Sequence, residues 1–160
     1  MRAAAVQACI GNAALPRPAS AARITAMSAD EASNGALVLV VDDDDRSREL
    51  MRIVLRHAGY RVLAASGPQA AIALLATERP TVAIVDLLMP EMTGLEFCRW
   101  LRTQPTLSTM RFVLLTGMDT QDTRNEAREA GADAVVTKPF DRIHLLEQLA
   151  SLLAPGPTAP

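Results

Sequence analysis

The stretch LVLVVDDDDRSREL, Leu37–Leu50, sets five apolar residues directly against four consecutive aspartates. The apolar run reads as a buried strand. The residues from about Asp45 to His57 read as a helix, with Leu50, Val54, Leu55 and Ala58 on one face and Gly59 at its end. Like charges crowded at the end of a buried strand need an explanation, because neighbouring carboxylates in a partly buried site either take up protons or hold a cation. Asp44 and Asp45 have a separate use: placed before a helix, a carboxylate caps free backbone N–H groups and favours the helix dipole. The alternative is that all four form a solvated acidic loop, the common fate of a charge run.

Outward from this stretch, short apolar runs alternate with amphipathic segments. Strands are expected at 61–65 (RVLAA), 81–86 (TVAIVD), 111–116 (RFVLLT) and 134–138 (AVVTK). Helices are expected at 67–77 with Pro68 in the first turn, at 94–102, at 120–131 closed by Gly131, and at 141–153. Five strands alternating with five helices predict an α/β fold, a doubly wound parallel sheet covered on both faces, since parallel neighbours need crossovers. The strands read as apolar runs rather than alternations, as sheets buried on both sides should. Ligands of such sheets bind beyond the carboxyl ends of the strands. There the chain places Asp42 and Asp43 after the first strand, Asp86 at the end of the third, Thr116 at the end of the fourth and Lys138 at the end of the fifth.

Composition narrows the function classes. With 160 residues and 49% apolar content, the chain suits one compact domain with tails. A net charge of −2 and 3% aromatic residues provide neither a basic stripe for phosphates nor platforms for stacking bases, which argues against direct nucleic-acid binding. No run of about 18 apolar residues exists, so no membrane insertion is expected. Cys9 and Cys98 lack metal-ligand spacing. Cys98 falls in a helical pattern with Leu95 and Leu101 and reads as a small packed residue, compatible with a reducing, cytoplasmic setting. Residues 1–36, rich in Ala, Ser and Pro, read as a disordered arm, or as a segment preceding a true start at Met27; residues 154–160 read as a flexible tail. A secretory signal is disfavoured by Gln7, Gly11 and Asn12, and three arginines in an acid-free segment leave only a weak organellar-transit reading.

The acidic cluster offers only oxygen ligands. That donor set points to a hard cation, and a small octahedral site that retains waters suits magnesium, with Asp42 and Asp43 holding it.

The motifs VVDDD, IVDLLMPEMTGLE, LLTG and VVTKPF, in this order and spacing, resemble the receiver domain of two-component response regulators. The similarity runs over about 37–153. The resemblance implies a five-stranded flavodoxin-like receiver fold with strand order 2-1-3-4-5. It implies that Asp86 accepts a phosphoryl group from a histidine kinase or histidine phosphotransfer protein. It further implies an acidic pair, Asp42 and Asp43, for Mg2+, with Asp43, Asp86 and the backbone carbonyl of Leu88 as direct ligands. Thr116 resembles the switch hydroxyl, Lys138 the lysine that meets the phosphoryl oxygens, and Pro139 a cis-proline. Output is expected through the face formed by helix four, strand five and helix five, to a protein partner or by onward relay, from a single-domain regulator that is not otherwise an enzyme.

Individually each of these residues has an ordinary structural explanation; jointly, at one sheet edge, they do not. The chain departs from the family pattern at Val135, where receivers commonly carry Tyr or Phe, which puts the aromatic part of the switch in doubt. Leu88 and Met118, two residues past Asp86 and Thr116, offer no group to orient a hydrolytic water. A haloacid-dehalogenase-like phosphatase, using Asp42 and Asp44, resembles the chain only in part: it needs a further acidic pair that AVVTKPFDR lacks, and it leaves Asp86 unexplained. A degenerate receiver used only for docking is disfavoured because all five site residues are present.

Overall fold

The computed structural model describes residues 35–156. The elements are β1 (Leu37–Val41), α1 (Asp45–His57), β2 (Arg61–Ala65), α2 (Pro68–Leu75), β3 (Val82–Asp86), α3 (Gly94–Thr103), β4 (Arg111–Thr116), α4 (Gln121–Ala130), β5 (Ala134–Thr137) and α5 (Arg142–Leu153). They form one five-stranded sheet of order β2-β1-β3-β4-β5 in which every neighbouring pair is parallel. The expected elements are all present, with bounds shifted by at most two residues. The arm expected over 1–36 lies outside the described residues apart from Gly35 and Ala36, as does Cys9; of the tail, Ala154, Pro155 and Gly156 are described.

Alternation along the strands divides the core between the two faces of the sheet. Leu39, Val41, Ala83, Val85, Phe112 and Leu114 face one way and pack against Ala71 and Leu75 of α2, Phe97, Cys98 and Leu101 of α3, and Ala127 and Ala130 of α4. Val38, Val40, Val82, Ile84, Val113, Leu115 and Val136 face the other way, against Met51 and Leu55 of α1 and Leu145 and Leu149 of α5. Three helices on one side and two on the other leave both faces covered, and that explains why the polar residues of the strands stand only at strand ends.

Local chemistry sets the helix ends. Asp44 caps α1 by accepting the Ser47 N–H. Thr93 and Glu96 form a capping box at α3. Gly131, with φ of 95°, closes α4 in the left-handed conformation that glycine adopts at least cost. Cys98 packs as expected: burial raises its thiol to about 11, and its sulfur donates to the Ala130 carbonyl at 3.4 Å.

One expectation is corrected. Leu50 does not belong to the buried face of α1; it is 53% exposed, and Met51 takes the inward position with Leu55 four residues on. A helix turns about 100° per residue, so the axis of the buried face is set by the Met51 and Leu55 pair, and Leu50 falls on its flank. Among the described residues no helix is long and apolar enough to cross a membrane.

Candidate functional site

The sheet delivers its polar residues to one edge. Asp42 follows β1 and Asp86 ends β3; because β1 and β3 are adjacent and in register from Val38↔Val82 to Val41↔Val85, the two aspartates emerge side by side. One carboxylate oxygen from each of Asp42, Asp43 and Asp86 falls within 4.8 Å of the others. Lys138 enters from the end of β5. Its Nζ lies 2.8 Å from Asp42 Oδ2 and 3.3 Å from Asp86 Oδ1, so it bridges the two carboxylates. The Lys138–Pro139 peptide bond is cis, in agreement with the expectation for Pro139.

The three aspartates differ in what is left for a ligand. Asp42 is buried and already engaged: Oδ1 accepts the Asp44 N–H at 2.9 Å, and Oδ2 accepts both the Ser47 hydroxyl at 2.7 Å and Lys138. Its backbone carbonyl accepts from Arg48 at 2.8 Å. Asp43 is exposed, and Asp86 keeps 13% of its side chain open, with Lys138 as its charged neighbour. Burial works against the charged form of Asp42, but bonds from Lys138, Ser47 and Asp44 outweigh it and hold the carboxyl below the usual range. Asp86 goes the opposite way. Burial raises its carboxyl, and the charges of Asp42 and Asp43 reinforce the rise against the pull of Lys138. Burial disfavours the Lys138 ammonium, but Asp42 and Asp86 together lift it above its ordinary value, so it stays charged at neutral pH.

Thr116 reaches the same edge but is turned to its own loop. It is buried, and its hydroxyl donates to the Met118 carbonyl and accepts the Met118 N–H, both at 3.0 Å. Its backbone carbonyl accepts the Lys138 N–H at 2.7 Å, which fixes the end of β5 against β4. Leu88 and Met118 are 73% and 65% exposed on the loops after β3 and β4. The loop after Asp86 is tightly held: Met92 N–H bonds to the Pro90 carbonyl across Glu91, whose φ of 71° is uncommon for a residue with a side chain. Gly94 then starts α3 so close to β3 that a Cβ there would stand 2.5 Å from the backbone oxygen of Asp86. The loop is therefore built around the carbonyl side of Asp86. Val135, half-buried on β5, stands beside a hollow of about 290 Å³ lined by Arg124, Ala127, Arg128 and Ala132.

Two contacts at the site were not anticipated from sequence. Ser47 and Arg48, in the first turn of α1, both grip Asp42. The available signal was spacing: Ser47 stands three residues after the capping Asp44, where a side chain can reach back over the helix start.

The arrangement is an acidic cluster with one fixed ammonium at the carboxyl edge of a parallel sheet. It suits oxygen-ligated cation binding and reaction with an anionic group. Comparison with known proteins agrees with this class. Residues 38–150 match the response regulator receiver domain model, and the chain belongs to that family, the receiver domains of two-component signalling. It is 35% identical over 121 residues to the transcriptional regulatory protein GltR of Pseudomonas aeruginosa, covering 76% of this chain and 50% of that protein. It is 39% identical over 116 residues to the response regulator MprA of Mycolicibacterium vanbaalenii, covering 72% and 49%. The chain thus spans about half the length of these curated relatives. Among solved structures, the chemotaxis response regulator CheY4 of Vibrio cholerae superposes with a TM-score of 0.71 at 33% identity, over 74% of this chain and 99% of that one. The receiver domain of a sensor histidine kinase from Pseudomonas aeruginosa, solved with magnesium coordinated in its active-site cleft, gives 0.69 at 25% identity, over 76% and 99%.

Proposed function

We propose that the chain accepts a phosphoryl group on Asp86 from the phosphohistidine of a sensor histidine kinase or histidine phosphotransfer protein. The observation that carries this reading is Lys138 Nζ poised between Asp42 and Asp86 inside a three-carboxylate cluster. An Asp86 oxygen attacks phosphorus, the phosphorus–nitrogen bond of the donor breaks, and an acyl phosphate forms while the departing imidazole takes up a proton. Lys138 neutralises charge on the transferred oxygens. Thr116 exchanges its bonds to Met118 for one to the phosphoryl group.

The donor set fits Mg2+. Asp42 has both oxygens occupied by protein donors, whereas Asp43 is exposed and Asp86 meets Lys138 only through Oδ1, so both keep an oxygen for a metal, and the Leu88 carbonyl is proposed as a third protein ligand. Asp42 then belongs to the metal site by charge rather than by direct coordination. When bound, the ion supplies positive charge for the transferring phosphoryl oxygens.

The output is proposed to pass through the face of α4, β5 and α5 to a protein partner, or by relay of the phosphoryl group, in the cytoplasm. The protein is a phosphoacceptor rather than a turnover enzyme: it catalyses only its own phosphorylation and dephosphorylation. The receiver is taken as residues 37–153. That it works on its own, rather than within a longer regulator, is an expectation the size of the protein in cell extracts decides.

The test is incubation with a radiolabelled small phosphodonor and Mg2+. A receiver retains acid-stable, base-labile label in one-to-one amount. Continuous release of phosphate without retained label would instead support the phosphatase alternative.

A further inference from the structure

Asp42 Oδ2 is shared by two donors of different kinds. Lys138 is a long side chain just past the end of β5, 25% exposed and also within reach of Asp86. Ser47 is a short side chain in the first turn of a helix whose start is fixed by Asp44. When Lys138 turns to phosphoryl oxygens on Asp86, it has to loosen its bond to Asp42. A carboxylate with 1% exposure left without a donor at that oxygen is costly, because a buried charged acceptor loses solvation with no replacement. Ser47 cannot leave in the same way: its own N–H is tied to Asp44 Oδ1 at 2.7 Å, and its hydroxyl lies 2.7 Å from Asp42 Oδ2.

We propose that Ser47 is a positioning residue for phosphorylation: its hydroxyl retains the Asp42 carboxylate while Lys138 is released to the phosphoryl group. The bond lowers the cost of that release. Without it, Lys138 is the sole side-chain donor to Asp42 Oδ2 and is held back from Asp86. Ser47 touches neither the phosphoryl group nor Asp86, so its effect is transmitted entirely through Asp42 and Lys138. This inference rests on the proposed role of Lys138 at Asp86.

The experiment compares the full chain with Ser47→Ala and Ser47→Thr, using a small phosphodonor at saturating Mg2+ and reading the maximal rate and the donor concentration at half-maximal rate separately. Ser47→Ala is expected to lower the maximal rate roughly ten-fold, the factor carried by one hydrogen bond to a charged group of ordinary strength, with half-saturation unchanged. Ser47→Thr keeps the hydroxyl and is expected to stay within about two-fold of wild type. Nitrogen-15 NMR of the Lys138 ammonium supplies a second reading: slower exchange with water in Ser47→Ala reports tighter retention by Asp42. A folding defect alone would change the urea midpoint without changing the ammonium signal. Equal maximal rates in wild type and Ser47→Ala, or a rate lost equally in Ser47→Thr, overturns the role of Ser47 while leaving Asp86 as acceptor. Failure of the wild type to label at all overturns the receiver chemistry itself.

Discussion

Replacing Gly94 by alanine should damage both the fold and the site, because the added Cβ has no room. It would lie 2.5 Å from the Asp86 backbone oxygen and 2.9 Å from Leu114 Cδ1, where ordinary contact begins at 3.4 Å. The difference of 3.4 and 2.5 requires a displacement of about 0.9 Å, and the nearer atom is backbone in a strand paired on both sides. Over-packing of this kind costs about 1–3 kcal/mol. Alanine regains less than about 1 kcal/mol of helix propensity at the first position of α3. A net loss of about 1–2 kcal/mol remains. With a urea m value of about 2 kcal/mol/M, the unfolding midpoint drops by roughly 0.5–1 M. Gly117 is the control, since a Cβ there meets nothing within 4 Å. Because the displacement acts on the Asp86 carbonyl, Mg2+ affinity and phosphorylation rate should fall as well. Urea titration of wild type, Gly94→Ala and Gly117→Ala, with and without Mg2+, makes the comparison. A Gly94→Ala midpoint equal to wild type would refute the claim that α3 is seated against the backbone of Asp86 at the end of β3.

Three other outcomes are expected. Asp86→Asn should stabilise the metal-free fold at pH 7: the folded carboxyl has a raised pKa, so its charge opposes folding above that pKa, and the advantage of the variant should shrink as pH falls through it; thermal melts of both proteins across pH 4–8 check the sign. Asp43→Asn should bind Mg2+ at least ten-fold more weakly in a calorimetric titration, since it removes the one exposed carboxylate of the cluster, about the worth of one charged ligand interaction; equal affinity would mean that Asp43 is a solvated side chain and not a ligand. The double change of Leu88→Asn and Met118→Glu should shorten the lifetime of the phosphorylated state several-fold, because the apolar side chains at these exposed positions offer no bond to an attacking water; label decay that is no faster in the variant means that these two positions do not set the lifetime.

The fold was legible because each strand is an apolar run closed by a polar residue, and several helices carry a recognisable end: Asp44 before α1, Pro68 in the first turn of α2 and Gly131 as the αL stop of α4. The meeting of Asp42, Asp43, Asp86 and Lys138 was also legible, since topology alone brings strand ends to one edge. What the sequence did not specify was the division of labour. Four aspartates look alike as letters, yet Asp42 is consumed by Ser47, Asp44 and Lys138 while Asp43 stays open. That distinction depends on side-chain direction over the first turn of α1. The misplacement of Leu50 has a similar origin, because a helical stripe read without its partner sheet can rotate by one residue. Arg102 is a third case. It is an ordinary arginine in the helical pattern of α3, but in the fold its guanidinium donates to the Ser108, Met110 and Gly131 carbonyls and pairs with Asp133, tying α3 to the end of α4. Long-range bonds of a flexible side chain to backbone carbonyls leave no local pattern to read.

The central claim is that Asp86 carries the phosphoryl group, and chemical trapping addresses it most directly. Borohydride reduces an acyl phosphate to an alcohol, converting a phosphorylated aspartate to homoserine while leaving free carboxylates intact. The wild type, exposed to phosphodonor and Mg2+ and then reduced, should yield homoserine at position 86 in peptide mass mapping, with none at positions 42 to 45 and none anywhere in Asp86→Asn. Trapping at Asp42 or Asp44 with Asp86 unmodified, or equal trapping in Asp86→Asn, would contradict the account.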